Sequence, residues 1–171
     1  MINLIFVDRN GKSFTYILEY FRTNTVPDNV MKDGTLSKSL FIEAHYFGLK
    51  NLTDQFMDIC FSDGTLPKLT HKRKLNEFHG KVNQRWDLIY KATRDGFDAS
   101  AFHSRCNNKG PTMTIIQSNN NCLFGGYTTI PWSSDNSYSS DDTTFLFTLV
   151  NPHSIPPTKY TIDDSKTGHA V

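Results

Sequence analysis

The chain of 171 residues is almost charge-balanced, with 18 Lys and Arg against 17 Asp and Glu, so it carries no electrostatic footprint for nucleic acid or an anionic membrane. Apolar residues make up only 37 %, but aromatics reach 13 %, and aromatic side chains bury enough area to build cores at modest aliphatic content. The longest apolar runs, such as Leu4–Val7 and Phe145–Val150, are far too short to span a bilayer. The N-terminus lacks the basic and small-residue pattern of a secretory leader, and three scattered cysteines (Cys60, Cys106, Cys122) suit reduced thiols of the cytosol.

Leu4–Val7 is a short strand-like run that ends in the turn chemistry of Asp8-Arg9-Asn10-Gly11. Phe14, Ile17, Leu18 and Phe21 then recur at helical spacing and predict a helix over 12–22. Pro27 and Gly34 bracket a loop, after which Ser37 is placed to accept from the free amides of a new helix. That helix carries Leu40, Phe41, Ala44 and Phe47 on one face, and Gly48 can end it in a left-handed cap. A third helix follows with Leu49, Leu52, Phe56 and Ile59. Ser62-Asp63-Gly64 and Pro67 break the pattern, and His71-Lys72-Arg73-Lys74 reads as a solvated basic stretch, so residues 61–74 are the expected linker.

Past that point Leu75–Val82 and Trp86–Lys91 read as helical or partly so, anchored by Trp86, Ile89 and Tyr90. Ala99–Cys106 is a further helix with Asp98 or Ser100 as its cap. The chain then turns to β-structure. Thr112–Gln117 and Cys122–Thr129 flank the tight turn Asn119-Asn120-Asn121 and predict a hairpin. Ser133–Asp142 reads as an exposed loop, Thr143–Val150 and Thr158–Ile162 as two more strands, and the tail from Asp163 has no packing pattern. The fold class is α+β.

Candidate chemistry is sparse. His103 and Cys106 share a helical face, with Asp95 and Asp98 close in sequence, and a Cys beside a His can act as a nucleophile. Such pairs usually come from separate elements, so the favoured reading packs Cys106 inward and gives His103 a local hydrogen bond. His71, His79, His103 and Cys106 lack the paired spacings of a zinc site. Lys109-Gly110-Pro111-Thr112 and Gly125-Gly126 match no phosphate loop; Gly125-Gly126 inside a strand marks a bulge or a close backbone approach. Asp135, Asp141 and Asp142 lack calcium-loop spacing and read as a solvated loop. No catalytic residue, metal or cofactor is expected.

Two segments carry family resemblances. Phe6-Val7-Asp8-Arg9-Asn10-Gly11, then Phe14-x-Tyr16-Ile17-Leu18-x-Tyr20-Phe21-Arg22-Thr23 and Glu43-Ala44-x-Tyr46-Phe47-x-Leu49-x-x-Leu52, resemble a BTB/POZ domain of the potassium-channel-tetramerisation (T1) type. The resemblance implies a self-assembling α/β module over residues 1–60, many of whose soluble relatives are adaptors for cullin-3 ubiquitin ligases. It also implies that the family's opening strands would fall before Met1.

Trp86-x-Leu88-x-Tyr90-x-Ala92-Thr93-Arg94-Asp95-Gly96-Phe97, Ala101-Phe102-His103-x-x-Cys106, Gly110-Pro111-Thr112, Phe124-Gly125-Gly126-Tyr127-Thr128, Trp132 and Phe145-Leu146-Phe147-x-Leu149 resemble a TLDc domain over residues 75–171. That is the domain of the oxidation-resistance proteins. It implies a β-sandwich flanked by helices, no established catalytic residues, a role in oxidative stress and, in several members, binding to the vacuolar proton pump (V-ATPase). The family's second half would fall beyond Val171. Arg94, Asp95, Gly96 and Phe97 match its most distinctive run. They are either a partner surface or, as favoured here, a hydrogen-bonded turn with Phe97 packed inward. His103 and Cys106 also match family positions and read as structural first.

The expected protein is thus a cytoplasmic, non-enzymatic adaptor. The first part would serve homo-oligomerisation or a cullin-3-type ligase contact, and the second a stress-response or V-ATPase-type partner, with no nucleic acid and no membrane insertion. The alternative is a thiol-dependent redox enzyme or sensor using Cys106 with His103.

Overall fold

The computed structural model describes residues 9–61, 66–81, 84–135 and 139–161. The strand expected over Leu4–Val7, its Phe6-Val7-Asp8 motif and the tail from Asp163 lie outside the described residues. Among those described, seven helices precede a four-stranded sheet. The class is α+β, as read from the residues.

α1 (Gly11–Thr23) starts where the Asn10 side chain accepts from the amides of Lys12 and Ser13, and ends on Asn24 in the left-handed region. The expected loop between Pro27 and Gly34 holds a short helix, α2 (Asp28–Lys32). α3 (Gly34–Tyr46) is capped by Asp33 rather than Ser37: the Asp33 carboxylate accepts from Thr35 and Leu36 amides at 2.9 and 2.8 Å. A carboxylate placed at a helix N-terminus also meets the positive end of the helix dipole, which is why it wins over a serine one turn later. Gly48 is left-handed at φ 65°, and α4 (Lys50–Cys60) follows. Ile17, Tyr20, Val30, Leu40, Phe41, Ala44, Leu52, Phe56 and Met57 from these helices form one core.

The stretch expected as a linker is helical in its second part. Residues 69–74 belong to α5 (Leu69–His79), which packs on α4. The basic cluster that looked solvated is matched by α4 acids one turn apart: Lys72 pairs with Asp58 at 2.9 Å, and Arg73 pairs with Asp54. Leu69 lies against the helical core, whereas Leu75, fully buried, belongs to the second. Trp86–Lys91 is not helical; Trp86 forms a parallel bridge with Phe61 and stacks on its ring.

α6 (Ala92–Asp95) and α7 (Ala99–Cys106) lead into the sheet. Strands β1 (Thr112–Gln117), β2 (Leu123–Thr128), β3 (Phe145–Val150) and β4 (Thr158–Thr161) lie in chain order, every pair antiparallel. Leu123, Tyr127, Phe145, Phe147 and Leu149 alternate inward and meet Cys60, Phe61 and Leu75, with Phe78 and Trp86 packed alongside. A register shift falls at Leu123/Phe124, not at the two glycines. Gly125 answers to close approach: a Cβ there would run into the Thr114 carbonyl oxygen and sit 2.8 Å from Phe147 Cζ.

Candidate functional site

The matched residues divide between two places. Arg94, Asp95, Gly96, Phe97, His103 and Cys106 share the α6–α7 corner, while Gly125 and Gly126 lie in the middle of β2.

The corner is organised by Asp95. Its carboxylate accepts from the Lys91 amide at 2.9 Å, from Arg94 Nε and a terminal guanidinium nitrogen at 2.9 and 2.8 Å, and pairs with Arg105 at 3.1 Å. The side chain is only 3 % exposed. The Arg94 hydrogen bonds, aided by the Lys91 amide and the Arg105 charge, outweigh burial and hold its carboxyl down at about 2. Next, Gly96 takes φ 106°, donates to the Ala92 carbonyl at 2.9 Å and accepts from the Tyr90 hydroxyl at 2.6 Å. A side chain at that φ would be strained, which explains the glycine.

Phe97 does not pack inward. It is 80 % exposed. The inward aromatic places of this corner are filled by Tyr90, Phe102 and Trp132, which meet edge-on with centroids 5.3 and 5.0 Å apart. The backbone at Gly96 therefore turns the next side chain out to solvent.

Cys106 is 3 % exposed, and its thiol is pushed up by burial and by the Asp95 charge. His103 spends Nδ1 on the Asn107 side-chain oxygen at 2.9 Å, and Asn107 in turn donates to Ser134 Oγ at 2.7 Å. The two residues serve neighbouring packing contacts, and the thiolate that nucleophilic chemistry needs is disfavoured.

Two other centres had weaker signals in the sequence. Asp141, expected in a solvated loop, is buried and accepts five hydrogen bonds. Thr128 Oγ1, the Thr129 amide and Thr144 Oγ1 reach one carboxylate oxygen at 2.7–3.0 Å; the Thr143 amide and hydroxyl reach the other at 2.9 and 2.6 Å. These donors outweigh desolvation and hold the carboxyl well below the usual range. The doubled Thr128-Thr129 and Thr143-Thr144 around one aspartate were the readable clue. Asn76, fully buried, donates to the Gln84 carbonyl at 3.2 Å and accepts from Trp86 Nε1 at 2.8 Å.

With this geometry in view, comparison with known families assigns both parts. Residues 63–168 match the TLDc domain. The chain belongs to the TLDc domain family. Its residues 1–60 match the BTB/POZ domain, of the potassium-channel-tetramerisation type. A mouse relative, MTOR-associated protein MEAK7, is 26 % identical over 67 residues, covering 39 % of this chain and 15 % of that protein. The chain thus spans a small part of the curated relative it matches. Both domain types point to protein-interaction roles. Among the described residues no helix is long and apolar enough to cross a membrane.

Proposed function

We propose that the chain is a non-enzymatic, cytoplasmic adaptor whose TLDc part engages a stress-response or V-ATPase-type protein partner through Phe97. The observation that carries this reading is an aromatic ring 80 % exposed on a corner that is otherwise fixed. Asp95, clamped by Arg94 and Arg105, and Gly96, tied to Tyr90, hold the turn before binding. A preordered aromatic loses little freedom on docking, and interface energy concentrates on such anchors. The two half-exposed guanidinium groups beside it suit a partner with carboxylates around an apolar notch.

The BTB/POZ part serves self-association or a cullin-3-type ligase contact. Leu18 and Phe21 on α1, and Ile42 and Tyr46 on α3, stand 42–64 % exposed and supply apolar surface for it. The mouse relative is named for its association with MTOR, which supports protein partners in general. Thiol chemistry at Cys106 is less well supported, because the sulfur is covered and its ionisation disfavoured.

The test is binding of the whole chain to purified V-ATPase and to purified cullin-3, with Phe97→Ala as the variant. Loss of V-ATPase binding by about tenfold or more is expected, since an anchor contributes about 2 kcal/mol. Circular dichroism and melting should be unaltered. Equal binding of wild type and Phe97→Ala would remove Phe97 from the contact.

A further inference from the structure

Of the histidines among the described residues, one is set apart by its surroundings. His45 and His153 are exposed. His71 accepts from the Lys68 amide through Nδ1 at 3.3 Å, and His103 engages Asn107 through Nδ1. His79 has its Nδ1 buried without a hydrogen-bond partner. It closes α5, just before Gly80 turns left-handed, at a place where three parts of the fold meet. Its Nε2 faces the Tyr127 hydroxyl of β2 at 3.3 Å. Its ring meets those of Trp86 and Tyr127 nearly at right angles, with centroids 5.2 and 5.0 Å away. Trp86 is tied in turn to α4 and α5, since its backbone amide donates to the Cys60 carbonyl at 2.6 Å and its indole to Asn76 at 2.8 Å. The seam between α5, the segment around Trp86 and the sheet is thus closed around one imidazole.

A neutral ring suits this place and a charged one does not. The contact with Tyr127 can be made by either tautomer, because a hydroxyl both donates and accepts. A further proton makes both ring nitrogens donors, and Nδ1 has no acceptor to reach. The charges acting on the ring are of the same sign as the one it would gain: Lys81 follows α5, and Lys159 comes from β4, where it donates to the Phe78 carbonyl at 2.8 Å. The acids of the neighbouring elements are engaged elsewhere. Glu77 of α5 holds Lys74 through both carboxylate oxygens, Asp58 of α4 pairs with Lys72, and Asp141 beyond Tyr127 is filled by its five donors. The carbonyl end of α5 favours a cation, but burial first and then the two lysines outweigh it and keep His79 below its ordinary pKa.

We propose that His79 is an acid-sensitive latch: on taking a proton it lets Trp86 and the end of α5 part from β2, so that mild acid loosens this seam while the sheet stays folded. The opened seam carries an ordinary histidine, which titrates near pH 6.5, whereas the closed seam resists the proton. By linkage, the open form then gains about tenfold on the closed one by about pH 5.5, relative to neutral pH. The strand pairings from β1 to β4 use none of the groups in the latch, so the sheet keeps its hydrogen bonds. Because Leu69 of α5 rests on one core and Leu75 on the other, the latch makes acidity control how firmly the two matched parts are joined. Local opening of this kind is the ordinary low-energy motion of a folded chain, here given a proton as its trigger.

Amide hydrogen exchange of the full chain, followed by NMR between about pH 7.5 and pH 5.5 and corrected for the intrinsic rate, tests the proposal. Protection of the Lys81 and Trp86 amides, which donate to Asn76 and Cys60, is expected to fall about tenfold over that range. The β3 amides paired with β2 are expected to keep theirs. His79→Gln retains a polar partner for the Tyr127 hydroxyl but has no proton to take up, so its Trp86 protection should not change with pH. Titration of the wild-type imidazole by NMR needs no variant and should place His79 below about pH 6.5. A His79 that titrates at or above that value overturns the proposal. So does Trp86 protection that ignores pH or falls equally in His79→Gln. A loss spread evenly over the sheet would also overturn it, because that is acid unfolding of the whole and not release of a latch.

Discussion

Replacing Asp141 by Asn removes a charge and little else, so it isolates what the carboxylate does. Each oxygen of Asp141 accepts from a backbone amide, Thr129 on one side and Thr143 on the other. Whichever way an Asn amide is turned, its NH2 therefore faces an N–H donor and leaves it unpaired. One orphaned buried amide costs about 1–3 kcal/mol, and the lost charge-assisted character of the remaining bonds adds to that. We expect Asp141→Asn to destabilise by about 2–4 kcal/mol, or roughly 5–15 °C in Tm for a chain of this size. Urea titration followed by Trp fluorescence, at neutral pH and in acid, is the assay. The pH dependence has a definite sign. Because the folded pKa lies below the unfolded value of about 3.9, the stabilisation is complete above that value and is lost as pH falls from there toward the folded pKa. The wild type should thus approach the variant in acid. A neutral-pH difference below about 0.5 kcal/mol, within the range of an ordinary surface substitution, would refute the reasoning.

Gly125→Ala should cost about 1–3 kcal/mol or more, because the new methyl meets the Thr114 carbonyl and the Phe147 ring and neither strand can yield without breaking register; thermal melting checks it. In native protein at neutral pH, a maleimide should label half-buried Cys122 well before Cys106, and mass spectrometry that finds Cys106 labelled first would revive its thiol chemistry. His79, whose Nε2 meets the Tyr127 hydroxyl at 3.3 Å, has its pKa lowered first by burial and then by Lys81 and Lys159. The folded state therefore resists protonation: the penalty is absent above about pH 6.5 and grows as pH falls toward the folded value, where it levels off. Melting curves from pH 7.5 down to about pH 5 should fall more steeply for wild type than for His79→Gln.

Much of the fold could be read from periodicity. α1, α3 and α4 follow their apolar spacings, and the four strands stand within a residue or two of their predicted ends, because β-branched and aromatic runs alternate cleanly there. What escaped depends on partners distant in sequence. The 71–74 cluster read as solvent-exposed because Asp54 and Asp58, which neutralise two of its charges, sit on another helix. Trp86 has the size of a helix anchor, but its indole is fixed by Asn76 and its ring by Phe61. Phe97 looked like core by residue type; only the filled Tyr90–Phe102–Trp132 corner excludes it. Asp141 sits in a Ser- and Asp-rich stretch, where composition speaks of solvent and says nothing of five converging donors.

Helix α5 gives the protein a property that neither matched segment has alone. Leu69 at its start seals one core, Leu75 six residues later seals the other, and Asn76 ties the helix to Gln84 and Trp86. The family matches meet between residues 60 and 63, just before α5, so this helix of the second match forms a wall shared by both cores. Cutting the chain there would leave each piece with an open side, so the two parts cannot be exchanged like beads on a string. Their sequences must change in step across that wall, and a load applied to one part is felt in the other.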